Sequence, residues 1–162
     1  MADFLKPPRE LGDKTGPGVP LGGRAIIAKA EGATKRHLQR VNYRTIAKES
    51  LDRLRVLLPQ LTDHPDSADI AKKIYEVAHN LRGEGASFGY PAISNVAELI
   101  CRLIERPSER TGRQLRILNV QIDALRAMVR HNIKGAPQGI ALEIITALAT
   151  LVDRVAALNR NR

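Results

Sequence analysis

The sequence predicts an all-α protein, an antiparallel four-helix bundle with an additional C-terminal helix. Three observations predict it. From Tyr43 onward, apolar residues recur at the i, i+3/i+4, i+7 spacing of one helix face. No stretch sustains the alternation of a strand. Proline and glycine punctuate the chain at Pro59, Pro65, Gly89–Pro91, Pro107, Gly112 and Gly135–Pro137, leaving segments of helix length joined by short turns. Short connections make neighbouring helices antiparallel.

The first 23 residues hold four of the nine prolines and five of the twelve glycines. Such a segment buries too little apolar surface to offset its ordering entropy, so residues 1–23 are expected to form a disordered tail. Arg24 to Arg40 can add a short basic helix, interrupted at Gly32. The bundle proper is expected over 24–135, with its core between 43 and 132. Its first stripe is Ile46/Ala47, Leu51, Leu54, Leu57/Leu58 and Leu61, with Tyr43 at the head. The second runs Ile70, Ile74, Val77, Leu81 and Phe88, and the third Ile93, Val96/Ala97, Ile100 and Leu103/Ile104. The fourth is Leu115, Leu118, Ile122, Leu125 and Val129. These four are expected to be helices of about 16 to 22 residues. A fifth, from Pro137 to Asn159 within residues 136–162, carries Ile144/Ile145, Leu148, Leu151/Val152, Val155 and Leu158 and is expected to pack on the bundle, a dimer contact being the alternative. With two Phe, three Tyr and no Trp the core is aliphatic, which also disfavours a base-stacking surface for nucleic acid.

The chain of 162 residues is long enough for one modest domain with its own core. Its formal charge is +9, of which about +6 falls on residues 21–60. The cluster Lys35-Arg36-His37 with Arg40 and Arg44 is either a solvated helix face or a steering surface for an acidic partner. The lone Cys101 excludes an internal disulfide framework and fits a reducing compartment. No apolar run reaches membrane-spanning length and no signal-peptide core follows Met1, so a cytoplasmic location is expected.

One stretch carries chemistry. In Ala78-His79-Asn80-Leu81-Arg82-Gly83 a histidine is followed three residues later by a cation and four later by glycine, and Phe88-Gly89-Tyr90-Pro91 then breaks the helix. Residues three and four apart are neighbours on a helix surface, so imidazole, guanidinium and an empty glycine spot share one patch. A lone histidine in a helix is usually incidental. At about 100° per residue, however, Val77 and Leu81 each lie about 200° from His79, which points away from the packing stripe. Lys72, Tyr75, Glu76, Arg82, Gly83 and Ala86 lie within about 60° of it by the same geometry. Helical side chains lean toward the N-terminus, so the residue four later covers the patch over His79. Glycine there costs about 1 kcal/mol relative to alanine, a cost consistent with keeping an exposed imidazole accessible.

These residues resemble the signature of the histidine phosphotransfer (HPt) domain of bacterial multistep phosphorelays: histidine, any residue, leucine, lysine, glycine, then a Phe-Gly-x-Pro loop. His79, Leu81, Arg82, Gly83, Phe88, Gly89 and Pro91 match it, with arginine where the family more often has lysine. The resemblance covers residues 43 to 132. It implies that His79 is phosphorylated, through the outward Nε2, and that Arg82 and Gly83 assist. It also implies response-regulator receiver domains as partners, with a hybrid histidine kinase as a further candidate. The chain is expected to be a monomer. The metal ion, Mg, would belong to the receiver, and this chain would need no cofactor.

Other candidates fall away. His37, His64 and His131 have no HxxxH or CxxC partner, so no metal site is expected. Gly83-Glu84-Gly85 begins like a phosphate loop but lacks the third glycine at the required position and a preceding strand. Nothing resembles an ATP-binding kinase module, so the phosphoryl group must come from elsewhere and the chain is expected to be a carrier rather than an enzyme. Cys101 sits on an apolar stripe as a packing residue. The rival function is a basic helical nucleic-acid-binding or adaptor protein in which His79 is incidental.

Overall fold

The computed structural model describes residues 42–105 and 110–160. The tail expected over 1–23 and the basic segment expected over 24–40 lie outside them. Five helices follow one another: α1 (Tyr43–Asp63), α2 (Ala68–Ser87), α3 (Pro91–Ile104), α4 (Gly112–Arg130) and α5 (Ile140–Arg160). The described residues contain no strand.

Local signals start the helices. The side chains of Asn42 and Ser67 accept the backbone N–H groups of Arg44 and Ile70, capping α1 and α2. Pro91 occupies the first turn of α3, where its missing N–H is no loss. Thr111 and Gln114 form a reciprocal capping box on α4. α1 continues through Pro59 to Asp63, as its stripe to Leu61 requires: the ring removes one intrahelical bond, and the helix beyond it buries Leu61 completely. One boundary departs from expectation. α5 begins at Ile140 rather than Pro137, after Gly139 at φ +52°. α3, at 14 residues, is also shorter than the expected range.

Helices α1 to α4 close a ring in which α1 packs on α2 and α4, and α3 on α2 and α4; α5 lies against α3 and α4. The start of α1 meets the ends of α2 and α4: the Tyr43 and Phe88 rings stack at 5.2 Å, and the Arg44 guanidinium donates to the Arg130 carbonyl. At the other end Arg110, before α4, donates to the Pro65 carbonyl before α2. The bundle is therefore antiparallel. Covered on three sides, α3 buries ten of its 14 residues, which is why its sequence is apolar almost all round.

The turn after α2 is braced. Gly89, at φ +81°, lets the chain reverse so that Tyr90 N–H bonds to the Gly85 carbonyl at 2.7 Å. The Gly89 carbonyl accepts from Gly135 N–H in the α4–α5 loop, and the Tyr90 hydroxyl donates to the Asn132 side chain at 2.7 Å.

The buried seam of α2 is Ala71, Ile74, Ala78, Leu81 and Gly85, with Ile70, Val77 and Phe88 half-buried beside it. The expected stripe weighted large side chains, whereas close helix approach selects small ones. Gly85 shows why. A Cβ there would lie 2.7 Å from Ser94 Oγ, 3.2 Å from Ser94 N and 3.2 Å from the Tyr43 hydroxyl oxygen. Ser94 Oγ donates to the Arg82 carbonyl at 2.7 Å, so the same methyl would also disturb a bond that ties α3 to α2. Gly85→Ala is expected to destabilise the fold by about 1–3 kcal/mol, the usual penalty of overpacking, measurable by urea denaturation.

Candidate functional site

With the seam centred near Ala78 and Gly85 rather than on Val77, His79 lies about 120° around the helix from the buried line, on the flank of α2 that borders α3. It is exposed, as expected. Its neighbours come from both helices. One turn earlier the Tyr75 ring stacks on the imidazole, with centroids 5.8 Å apart and planes inclined by 29°. One turn later Arg82 places Nη2 3.2 Å from His79 Nδ1. A guanidinium only donates, so Nδ1 is the acceptor in this contact. Nε2 has no hydrogen-bond partner among the described residues.

The other arm of the guanidinium, Nη1, pairs with the Glu98 carboxylate on α3. Glu98 raises the Arg82 pKa above the ordinary arginine value, by hydrogen bonding first and charge second. The Arg82 backbone is held too, through the Ser94 hydroxyl. Both ends of Arg82 are thus anchored to α3, in a row Glu98–Arg82–His79–Tyr75. At the far end of that row the Glu105 carboxylate raises the Tyr75 phenol pKa. Beneath it Cys101 is buried, and burial pushes its thiol up to about 11, in keeping with a packing role.

Gly83 is exposed, and a Cβ built on it would meet nothing within 4 Å. The surface beside the imidazole is therefore open. Lys72 and Glu76, expected in the same patch, pair with each other at 4.0 Å. Ala86 is exposed. The structure thus brings Arg82 and Tyr75 into contact with His79, and leaves Gly83 as empty space next to it.

Glu98 is the residue that the sequence reading missed. Its signal was present: it is the sole carboxylate in α3, on a helix whose one other charge is Arg102. The Arg102 charge is directed elsewhere, to Asp153 on α5. Periodicity within α2 could not reveal a partner on another helix.

Among the described residues no three His, Cys, Asp or Glu side chains gather as a metal site, and no helix is long and apolar enough to cross a membrane. The sizeable cleft between α1 and α2, lined by Glu49, Asp52, Arg53, Val56, Lys73 and Glu76 among others, does not include His79. The imidazole stands on an open face, where another macromolecule can reach it, rather than in the concave pocket usual for a small substrate.

An antiparallel helical bundle thus carries, on an open face, a histidine beside a guanidinium and an uncovered glycine. The family model of the Hpt domain matches residues 42–158, and the chain belongs to that family. Hpt domains perform histidine phosphotransfer in phosphorelays and interact with receiver domains and histidine kinases. The match runs beyond residue 132, where the sequence resemblance was placed to end, and takes in nearly all of α5. No curated protein and no solved structure gave a match to set beside it.

Proposed function

We propose that His79 accepts a phosphoryl group from a receiver-domain aspartate and passes it to the aspartate of another receiver. The observation that carries this reading is the exposed imidazole with Nδ1 engaged by Arg82 and Nε2 without a hydrogen-bond partner among the described residues. Attack requires a lone pair on Nε2, hence the tautomer protonated on Nδ1, which the ring reaches by proton exchange with water. The Nε2 lone pair forms the P–N bond in line while the P–O bond to aspartate breaks, its electron pair leaving on the carboxylate. The Nδ1 proton then departs to solvent, and Nδ1 again accepts from Arg82. In this reading the ring geometry of the structure suits the phosphorylated form. The metal ion sits in the receiver, and no ATP is bound by this chain.

Transfer is reversible, since both the acyl phosphate and the phosphoimidazole are labile. A hybrid histidine kinase can supply the first receiver. The carrier works as a cytoplasmic monomer; Arg113, Arg116 and Arg154 surround the exposed aliphatics of the α4–α5 groove, and such a like-charged rim disfavours self-association.

Incubation with a phosphorylated receiver tests the proposal. Acid-labile, alkali-stable label on this chain is the expected result; its absence with several receivers favours the basic nucleic-acid-binding or adaptor alternative. Arg82→Ala is expected to slow transfer about ten-fold, at most about a hundred-fold, with the melting temperature retained. Arg82→Lys should keep most of the rate, because lysine retains a positive charge beside the imidazole. Rapid-quench kinetics of the two variants check this.

A further inference from the structure

Arg82 is engaged twice, and the second engagement has a chemical use. Arginine combines a permanent charge with several N–H groups in a fixed plane, so one guanidinium can pair with Glu98 through Nη1 while Nη2 stays on His79 Nδ1. We propose that Glu98 is a positioning residue that fixes the Arg82 guanidinium on Nδ1, shielding the phosphoimidazole from protonation there and so prolonging the life of the phosphoryl group. This rests on the carrier reading above.

The chemistry is as follows. Hydrolysis of a phosphoimidazole breaks the P–Nε2 bond as water attacks phosphorus, and the bond's electron pair stays on Nε2. With Nδ1 protonated, the ring leaves as neutral imidazole, carrying its proton on Nδ1. With Nδ1 unprotonated, it must leave as the far poorer imidazolate. Loss of the phosphoryl group is therefore governed by the lone pair on Nδ1. A permanently charged donor 3.2 Å away occupies that lone pair, and protonation would set two cations side by side. Free arginine side chains sample many rotamers; this one is held at its far end by Glu98 and at its backbone by Ser94.

Among the described residues the surrounding groups are few. On α2 they are Tyr75 and the Lys72–Glu76 pair, besides Arg82. From α3 come Glu98, the buried Cys101 and, next to Tyr75, Glu105. Among the charges of α1, Glu49, Asp52 and Arg53 line, with Lys73 and Glu76, a cleft that does not include His79. Among the described residues, Glu98 is the one carboxylate paired with the guanidinium that touches Nδ1.

The test uses the full chain loaded with phosphoramidate as a small phosphoryl donor, then freed of it. The loss of label is followed from pH 5 to pH 9 in wild type, Glu98→Ala and Glu98→Gln. Because decay is read after loading, a slower loading rate does not matter. In both variants the pH at which decay accelerates should rise by about 0.5–1 unit, which at a given mildly acidic pH is about three- to ten-fold faster loss. The alkaline limbs should coincide with wild type, and the ¹⁵N resonance of Nδ1 in phosphorylated His79 should titrate at correspondingly higher pH. Identical profiles in wild type and variants overturn the inference and leave the carrier reading standing. Equal acceleration at every pH also overturns it, since protonation would not be what Glu98 controls. Failure of wild type to take label on His79 overturns the carrier reading itself.

Discussion

His79→Gln should leave the bundle folded and abolish phosphotransfer. The ring is exposed and its contacts are lateral: a stack on Tyr75 and one hydrogen bond from Arg82. Neither lies in the buried seam, so the change in stability should stay within about 0.5 kcal/mol, as for most surface substitutions. The glutamine amide can still accept from Arg82, keeping the Glu98 pair in place, yet it offers no nucleophilic nitrogen. Circular dichroism melting together with transfer from a phosphorylated receiver checks both halves. Residual label on the variant would move the phosphorylation site to another residue. A collapse in stability would mean that the imidazole serves the fold.

Gly83→Leu should produce an effect of nearly the same size by blocking access. Empty space surrounds the position of a Cβ at Gly83, so no neighbour opposes a side chain there. Alanine should raise helix stability by up to about 1 kcal/mol, and its methyl should slow transfer modestly by narrowing the approach to His79. Leucine leans back along the helix toward the imidazole. It should leave the protein folded and reduce transfer by about a hundred-fold or more, equivalent to about 2.7 kcal/mol in the barrier. Wild-type transfer by the leucine variant would dispose of the access argument. Gly85→Ala, two residues away, should do the reverse and lower stability, because its methyl would meet α3.

That pair of glycines also shows where sequence reasoning reaches and where it stops. Five apolar stripes located five helices, since burial of one face is a property of each segment alone. The side of α2 that carries His79 could be read in the same way. The depth of the seam could not. Which of Val77 and Ala78 lies deeper depends on how closely α3 approaches, and that is set by Gly85 against Ser94, a contact between helices. Glu98 escaped for a related reason. An ion pair across 16 residues leaves no periodic trace, and its carboxylate on an apolar helix could equally have faced water. The first stripe could be followed past Pro59 to Leu61, and the complete burial of Leu61 is what carries α1 through the ring.

The bracing at the end of α2 bears on how quickly partners can be exchanged. The helix that displays His79 is fixed at its start by Ser67 and at its finish by the Gly89–Gly135 and Tyr90–Asn132 bonds, which moor it to the α4–α5 loop. A face held in this way has little motion left to lose on contact. Association then avoids much of the ordering entropy that weakens flexible interfaces, and the free and bound shapes should nearly coincide. If the proposed function holds, such a surface would serve as a common socket on which one receiver could follow another, with discrimination left to the residues around the rim.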